Sequence, residues 1–174
     1  LAELSVPPGG FPVLEVLDLS YNGLSSAAVA ALADISRLRQ LDISMNELSA
    51  LPADMSGFAA LQSLNCEHNR LNTEASLLAL GTLPSLRSLS LAHNGIEALA
   101  ASATDTIAYA QLSTLDLSNN AIAREEALLP VLQMTSLRTL LLYGNPFLHR
   151  GAASDDFHEV LAVQRGMELV VLPP

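Results

Sequence analysis

Apolar residues recur along this chain in one fixed arrangement: a leucine, then two more separated by a single variable residue, then an asparagine. Six segments share it: Leu14-x-x-Leu17-x-Leu19-x-x-Asn22, Leu38-x-x-Leu41-x-Ile43-x-x-Asn46, Leu61-x-x-Leu64-x-Cys66-x-x-Asn69, Leu86-x-x-Leu89-x-Leu91-x-x-Asn94, Leu112-x-x-Leu115-x-Leu117-x-x-Asn120 and Leu137-x-x-Leu140-x-Leu142-x-x-Asn145. Successive asparagines stand 24, 23, 25, 26 and 25 positions apart, which marks a structural repeat. In the x-Leu-x-Leu-x core the period is two, so both leucines face one side of a short strand and the variable residues face the other. No such strand buries anything alone. Six of them stacked in parallel, about 4.8 Å apart, share one leucine core.

The asparagines read as structural, because an amide at the turn after each strand can satisfy backbone groups that the turn leaves unpaired inside the stack. Asn22, Asn46, Asn69, Asn94, Asn120 and Asn145 form that expected ladder. The return segments differ. Ser25 to Ser36 places Val29, Leu32 and Ile35 about a helical turn apart behind serines able to cap, and Thr73 to Leu83 and Arg124 to Met134 repeat the pattern. Pro130 should start, kink or shorten the last of these helices. The return from Leu51 is too short for a helix, and Ala98 to Ala110, the longest, should bulge. After Phe147 the repeat stops; Asp155 to Leu161 reads as an amphipathic helix, and a non-repeat helix ending in Leu169 to Leu172 is the expected cover for the open leucine edge. The organisation is therefore an N-terminal flank or remnant turn (1–13), six repeats (14–147) and a C-terminal cap (148–174).

The chain resembles the leucine-rich repeat family from Leu14 to Phe147, with a terminal segment similar to the caps of intracellular members. That resemblance implies an α/β right-handed solenoid, a horseshoe arc with a parallel concave sheet and a convex side of short helices and irregular segments. The run Asn120-Ala-Ile-Ala-Arg-Glu-Glu-Ala-Leu-Leu-Pro-Val-Leu and Leu142-Tyr-Gly-Asn-Pro-Phe are similar to the X-ray radiation resistance-associated leucine-rich repeat proteins. The longer repeats also resemble those of the phosphatase-one regulatory subunit and of ciliary axonemal proteins. The family implies a protein-binding scaffold without catalysis.

Charge and composition narrow the partner. The 174 residues include 36 Leu and 25 Ala, no Trp, 18 acidic residues and 8 Arg, for a net charge of −10. Such a field repels phosphate backbones and anionic lipid, so nucleic acid and membrane surfaces are poor partners. No stretch approaches the roughly 18 uninterrupted apolar residues that span a bilayer. A single cysteine, Cys66, permits no internal disulfide, which points to an intracellular home, cytoplasmic or ciliary. The chain opens in mid-pattern and reads as part of a larger protein.

Nothing in the sequence calls for a cofactor. Phosphate-cradling glycine loops, C-x-x-C, H-E-x-x-H and Gly-x-Ser-x-Gly are all missing, and the reading is not an enzyme. Cys66 sits where other repeats carry Leu or Ile, as a small buried hydrophobe. His68 and His93, at equivalent positions before Asn69 and Asn94, should meet at the rim, where with Glu67 they form a weak metal candidate lacking a fourth ligand. The outward columns carry the functional information. The middle column is Asp18, Asp42, Asn65, Ser90, Asp116 and Leu141. A second is Val16, Gln40, Ser63, Ser88, Thr114 and Thr139. A third is Ser20, Ser44, Glu67, Ala92, Ser118 and Tyr143, and Glu15, Arg39, Gln62, Arg87, Ser113 and Arg138 form a partly basic margin. Interfaces draw their energy from a few aromatic, arginine or large apolar anchors. The candidate partner-binding residues are therefore Arg39, Asp42, Arg87, Asp116, Arg138, Leu141 and Tyr143. The expected role is a scaffold that binds a protein partner on the concave face; the alternatives are a structural component of a ciliary or cytoskeletal assembly and a regulatory subunit of an enzyme such as a phosphatase.

Overall fold

A computed structural model describes residues 4–7, 9–100, 109–149 and 166–172. Seven three-residue strands form one parallel sheet in chain order: β1 (Val16–Asp18), β2 (Gln40–Asp42), β3 (Ser63–Asn65), β4 (Ser88–Ser90), β5 (Thr114–Asp116), β6 (Thr139–Leu141) and β7 (Glu168–Val170). The leucine at the centre of each strand pairs with the leucine at the centre of the next, from Leu17 to Leu41 through to Leu140 with Leu169. A slip of one residue would turn every leucine outward, so burial fixes the register. Behind the sheet Leu41, Ile43, Leu64, Cys66, Leu89, Leu91, Leu115, Leu117, Leu140 and Leu142 are all buried in one continuous core.

The convex returns follow their local chemistry. α1 (Ser26–Ala31) starts where Ser25 accepts the Ala28 N–H at 3.1 Å and runs into a 3-10 turn, Leu32–Asp34. α2 (Glu74–Gly81) starts where Thr73 accepts the Ser76 N–H at 3.3 Å. The third predicted helix is instead a 3-10 helix, Glu125–Gln133, with Pro130 inside it. In that geometry each N–H bonds three residues back, so Pro130, having none, leaves the Ala127 carbonyl free. The Leu99 N–H of the preceding turn fills it at 3.1 Å. The return from Leu51 is irregular as expected. A short helix, α3 (Pro146–His149), follows the last asparagine.

Two expectations are corrected. The terminal apolar run does not end a helix: Glu168–Val170 is a seventh strand, and Leu142 N–H donates to the Val170 carbonyl at 2.8 Å. A strand supplies the pairing groups that β6 would otherwise leave open, which a helix cannot do. The asparagine ladder also lacks its first rung. Asn46, Asn69, Asn94, Asn120 and Asn145 are buried, whereas Asn22 is exposed and its amide donates to the Ser20 carbonyl of its own turn at 2.8 Å. Each ladder amide serves the turn before it, and β1 is the first strand of the sheet. The expected bulge within Ala98 to Ala110 and the helix over Asp155 to Leu161 fall largely or wholly outside the described residues.

Candidate functional site

The concave surface is built from the residue at each strand end. In β1, β2, β3 and β5 its side-chain oxygen accepts the backbone N–H two positions on: Ser20 to Asp18 at 2.8 Å, Ser44 to Asp42 at 2.8 Å, Glu67 to Asn65 at 3.0 Å and Ser118 to Asp116 at 2.8 Å. Asp42 also accepts the Asn65 amide at 2.9 Å. Two predicted binding residues, Asp42 and Asp116, thus shape their own turns. The spacing Asp-x-Ser in three repeats was the signal for this.

Those tight turns also withdraw the third column. Ser44, Ala92 and Ser118 are buried rather than outward, and the Ser118 hydroxyl, fully enclosed, makes no hydrogen bond among the described residues. Glu67 turns toward Ser90, whose hydroxyl it accepts at 2.8 Å. Tyr143 remains half-buried, as does Leu141 in register beside Asp116 and Val170. Because β7 adds a strand beyond them, this pair lies within the sheet rather than on its edge.

Arg39, Arg87 and Arg138 stand one residue before β2, where Gln40 begins it, and before β4 and β6, all exposed. Arg39 approaches Glu15 at 3.8 Å, so its charge is partly answered. Arg87 and Arg138 take part in no ion pair among the described residues and line one polar groove with Gln111, Ser113, Thr135 and Ser136.

On the opposite margin the residues just before the asparagines, Tyr21, Met45, His68, His93, Asn119 and Gly144, all have left-handed φ, between 52° and 73°. The N–H groups of the first five reach the next turn, as from His68 to the Ala92 carbonyl at 3.0 Å. Tyr21 and Met45 extend the exposed rim expected of His68 and His93, and all four project from it. The two imidazoles do meet, stacked with centroids 4.1 Å apart and planes 9° from parallel. Among the described residues no three His, Cys, Asp or Glu side chains are placed to hold a metal.

Buried titratable groups serve packing. Burial, with the Asp42 charge second, pushes the Cys66 thiol above its ordinary range, which disfavours the nucleophilic thiolate. Burial likewise raises the Tyr109 phenol, whose hydroxyl donates to the Leu77 carbonyl in α2.

Comparison with known proteins agrees with this architecture. The family described as Leucine rich repeat matches residues 12–71, and a second of the same description matches residues 82–103. Tsukushi of Mus musculus is 37% identical over 140 residues, covering 79% of this chain and 38% of that protein. X-ray radiation resistance-associated protein 1 of Mus musculus is 32% identical over 106 residues, covering 51% of this chain and 14% of that protein. The chain thus spans well under half the length of either relative, and the narrower likeness read from the sequence is not the one that extends furthest along it. A chain from the structure of the Toll and Spatzle complex in Drosophila superposes with a TM-score of 0.54 at 19% identity, covering 70% of this chain and 15% of that one. At that identity it speaks to the fold alone. Residue pattern, sheet, ladder and relatives agree: this chain is built of leucine-rich repeats, stacked as an open solenoid.

Proposed function

We propose that the protein is a non-enzymatic interaction module of a larger chain, holding a protein partner on its concave face. One observation carries the reading: the central leucines of the strands and the five asparagines Asn46, Asn69, Asn94, Asn120 and Asn145 point inward, leaving an outward surface of Gln40, Ser63, Ser88, Thr114, Thr139 and Leu141 whose positions the parallel register fixes. A preformed surface loses little conformational freedom on binding. Leu141 and Tyr143 supply apolar contact, Arg87 and Arg138 charge, and Asp42 and Asp116 acceptors. The net charge of −10 favours protein over nucleic acid or anionic membrane as partner, and the lone buried thiol of Cys66 suits an intracellular setting.

The test is capture from cell lysate with the intact protein, a Leu141→Glu, Tyr143→Glu variant and a Leu129→Glu control that alters an exposed residue of the 3-10 helix, once all three melt alike. A partner lost only from the double variant supports the reading. Identical captures would overturn it in favour of a structural spacer.

A further inference from the structure

We infer that the groove between Arg87 and Arg138 is a seat for a carboxylate of the partner, a proposal that rests on the concave-face reading above. The two arginines hold the same place in the fourth and sixth turns, with Ser113 between them. The Ser113 N–H donates to the Arg87 carbonyl at 2.8 Å and the Arg138 N–H to the Ser113 carbonyl at 2.9 Å. Their backbones are therefore two strands apart, about 10 Å, a span two extended guanidiniums can close from either side. Ser113 is small enough to leave the space open.

The floor of the groove is already committed. Ser113 donates its hydroxyl to the Arg87 carbonyl at 2.9 Å, Ser136 to the Ala110 carbonyl at 2.6 Å, and Gln111 its amide to the Pro84 carbonyl at 3.2 Å. With the Thr135 hydroxyl, the guanidiniums are what remains to recognise a ligand. The nearest described carboxylate in the register is Glu168, beside Thr139, which accepts the Thr139 hydroxyl at 3.3 Å. It forms no ion pair with either arginine. Two cations that pair with no carboxylate among the described residues and line one groove, in a chain of net charge −10, are a local reversal of the field. A planar fork matches a carboxylate in two parallel hydrogen bonds, and the long-range repulsion turns away extended polyanions while admitting one acidic side chain or chain end. Leu141 ends the strand that Arg138 precedes, three residues on and about 10 Å away. A partner segment in the polyproline II form, with three residues per turn and a rise of about 3.1 Å, turns an acidic and an apolar residue three positions apart to one side, about 9 Å from each other, and fits both.

The probe is the peptide acetyl-Ser-Glu-Ser-Ser-Leu-Ser-amide, titrated into uniformly nitrogen-15-labelled protein while the arginine side-chain N–H signals are followed. Saturable shifts of Arg87 and Arg138 are expected. Affinity should fall at least about tenfold when the peptide Glu becomes Gln, or in an Arg87→Gln, Arg138→Gln protein, as loss of a charge-assisted pair requires. An Arg70→Gln protein, altered at another exposed arginine, should bind as the unaltered one does. Shifts that do not saturate, equal affinity in the double variant, or a response to dextran sulfate without one to the peptide would each overturn the seat. Lysate capture separates the two readings: a partner kept by Arg87→Gln, Arg138→Gln but lost by Leu141→Glu, Tyr143→Glu sinks the seat and leaves the concave face standing.

Discussion

Asn120 completes the hydrogen bonding of Asn94: its side-chain carbonyl accepts the Asn94 N–H and, two residues on, the Ile96 N–H, each at 3.0 Å. Its amide donates to Leu91 of the preceding turn at 2.9 Å and to Leu117 of its own at 3.0 Å. One side chain thus stitches two turns, and the same bonds recur from Asn46 to Leu24 and from Asn69 to Leu48. The ladder has a direction, each amide facing the lower-numbered turn.

Removing a rung strands buried backbone groups that have no water to turn to. Asn120→Ala should cost about 2 to 5 kcal/mol, because an unpaired buried donor or acceptor costs about 1 to 3 kcal/mol and more than one is left. Asn22→Ala, at the exposed end, should cost less than about 1 kcal/mol. Urea denaturation of both variants checks this; equal losses would show that the ladder is not what the buried asparagines contribute.

Two glycines share a left-handed backbone but not their surroundings. A β-carbon on Gly144 (φ 73°) would lie 2.2 Å from Asn119 Oδ1 and 2.9 Å from its Cγ, whereas on Gly95 (φ 72°) the nearest atom is Asn72 Nδ2 at 3.7 Å. Gly95→Ala therefore carries only the left-handed cost, about 1 to 2 kcal/mol. Gly144→Ala must also displace the Asn119 side chain, and thermal melting should show it as the more destabilised of the two.

Glu47 occupies a position that is Gly23 and Gly95 in other repeats, and it holds φ 59° without being glycine. Its ion pair with Arg70, at 3.1 Å, joins two side chains that are 78% and 69% exposed, where such pairs contribute about 0 to 1 kcal/mol. Backbone relief should outweigh that loss, so Glu47→Gly is expected to stabilise by about 0.5 to 1 kcal/mol in denaturant titration. A drop in stability would show the pair to be worth more than its exposure suggests.

The repeats were legible because three constraints coincide in each: leucines at period two, an asparagine at the turn and a constant spacing. Leu41, Leu64, Leu89, Leu115 and Leu140 accordingly pair centre to centre, as read. Glu168–Val170 carried no such agreement, since no upstream leucine and no asparagine accompany it, and a short apolar run alone does not separate strand from helix. The outward strand positions were legible, but not the local bonds their side chains make. Alternation correctly turned Asp42 and Asp116 outward, yet a carboxylate also answers the nearest unpaired N–H. That local bond spends part of what was read as binding capacity. Alternation failed at Ser118 because the chain has left the strand there and its tight turn folds the side chain inward.

The same turns give the protein an acid response. Asp18 is held below the ordinary carboxylate range by the Ser20 backbone N–H, with the Ser20 hydroxyl second, and Asp54 likewise by Ser56. A depressed folded-state value means that the folded chain binds the ionised form more tightly. The stability this brings is complete above the unfolded value, about 3.9, and disappears as pH falls through the lower folded one. Asn65 fills the same turn position as Asp18 and accepts the Glu67 N–H at 3.0 Å, so Asp18→Asn keeps the turn while removing the charge. The melting temperature of the unaltered protein should exceed that of Asp18→Asn at neutral pH, and the gap should close below about pH 4. Asp54→Asn, whose partner Ser56 N–H lies at 2.8 Å, should behave in the same way. A gap constant from neutral pH to pH 2.5 would mean that the turns prefer the shape of the side chain and not its charge.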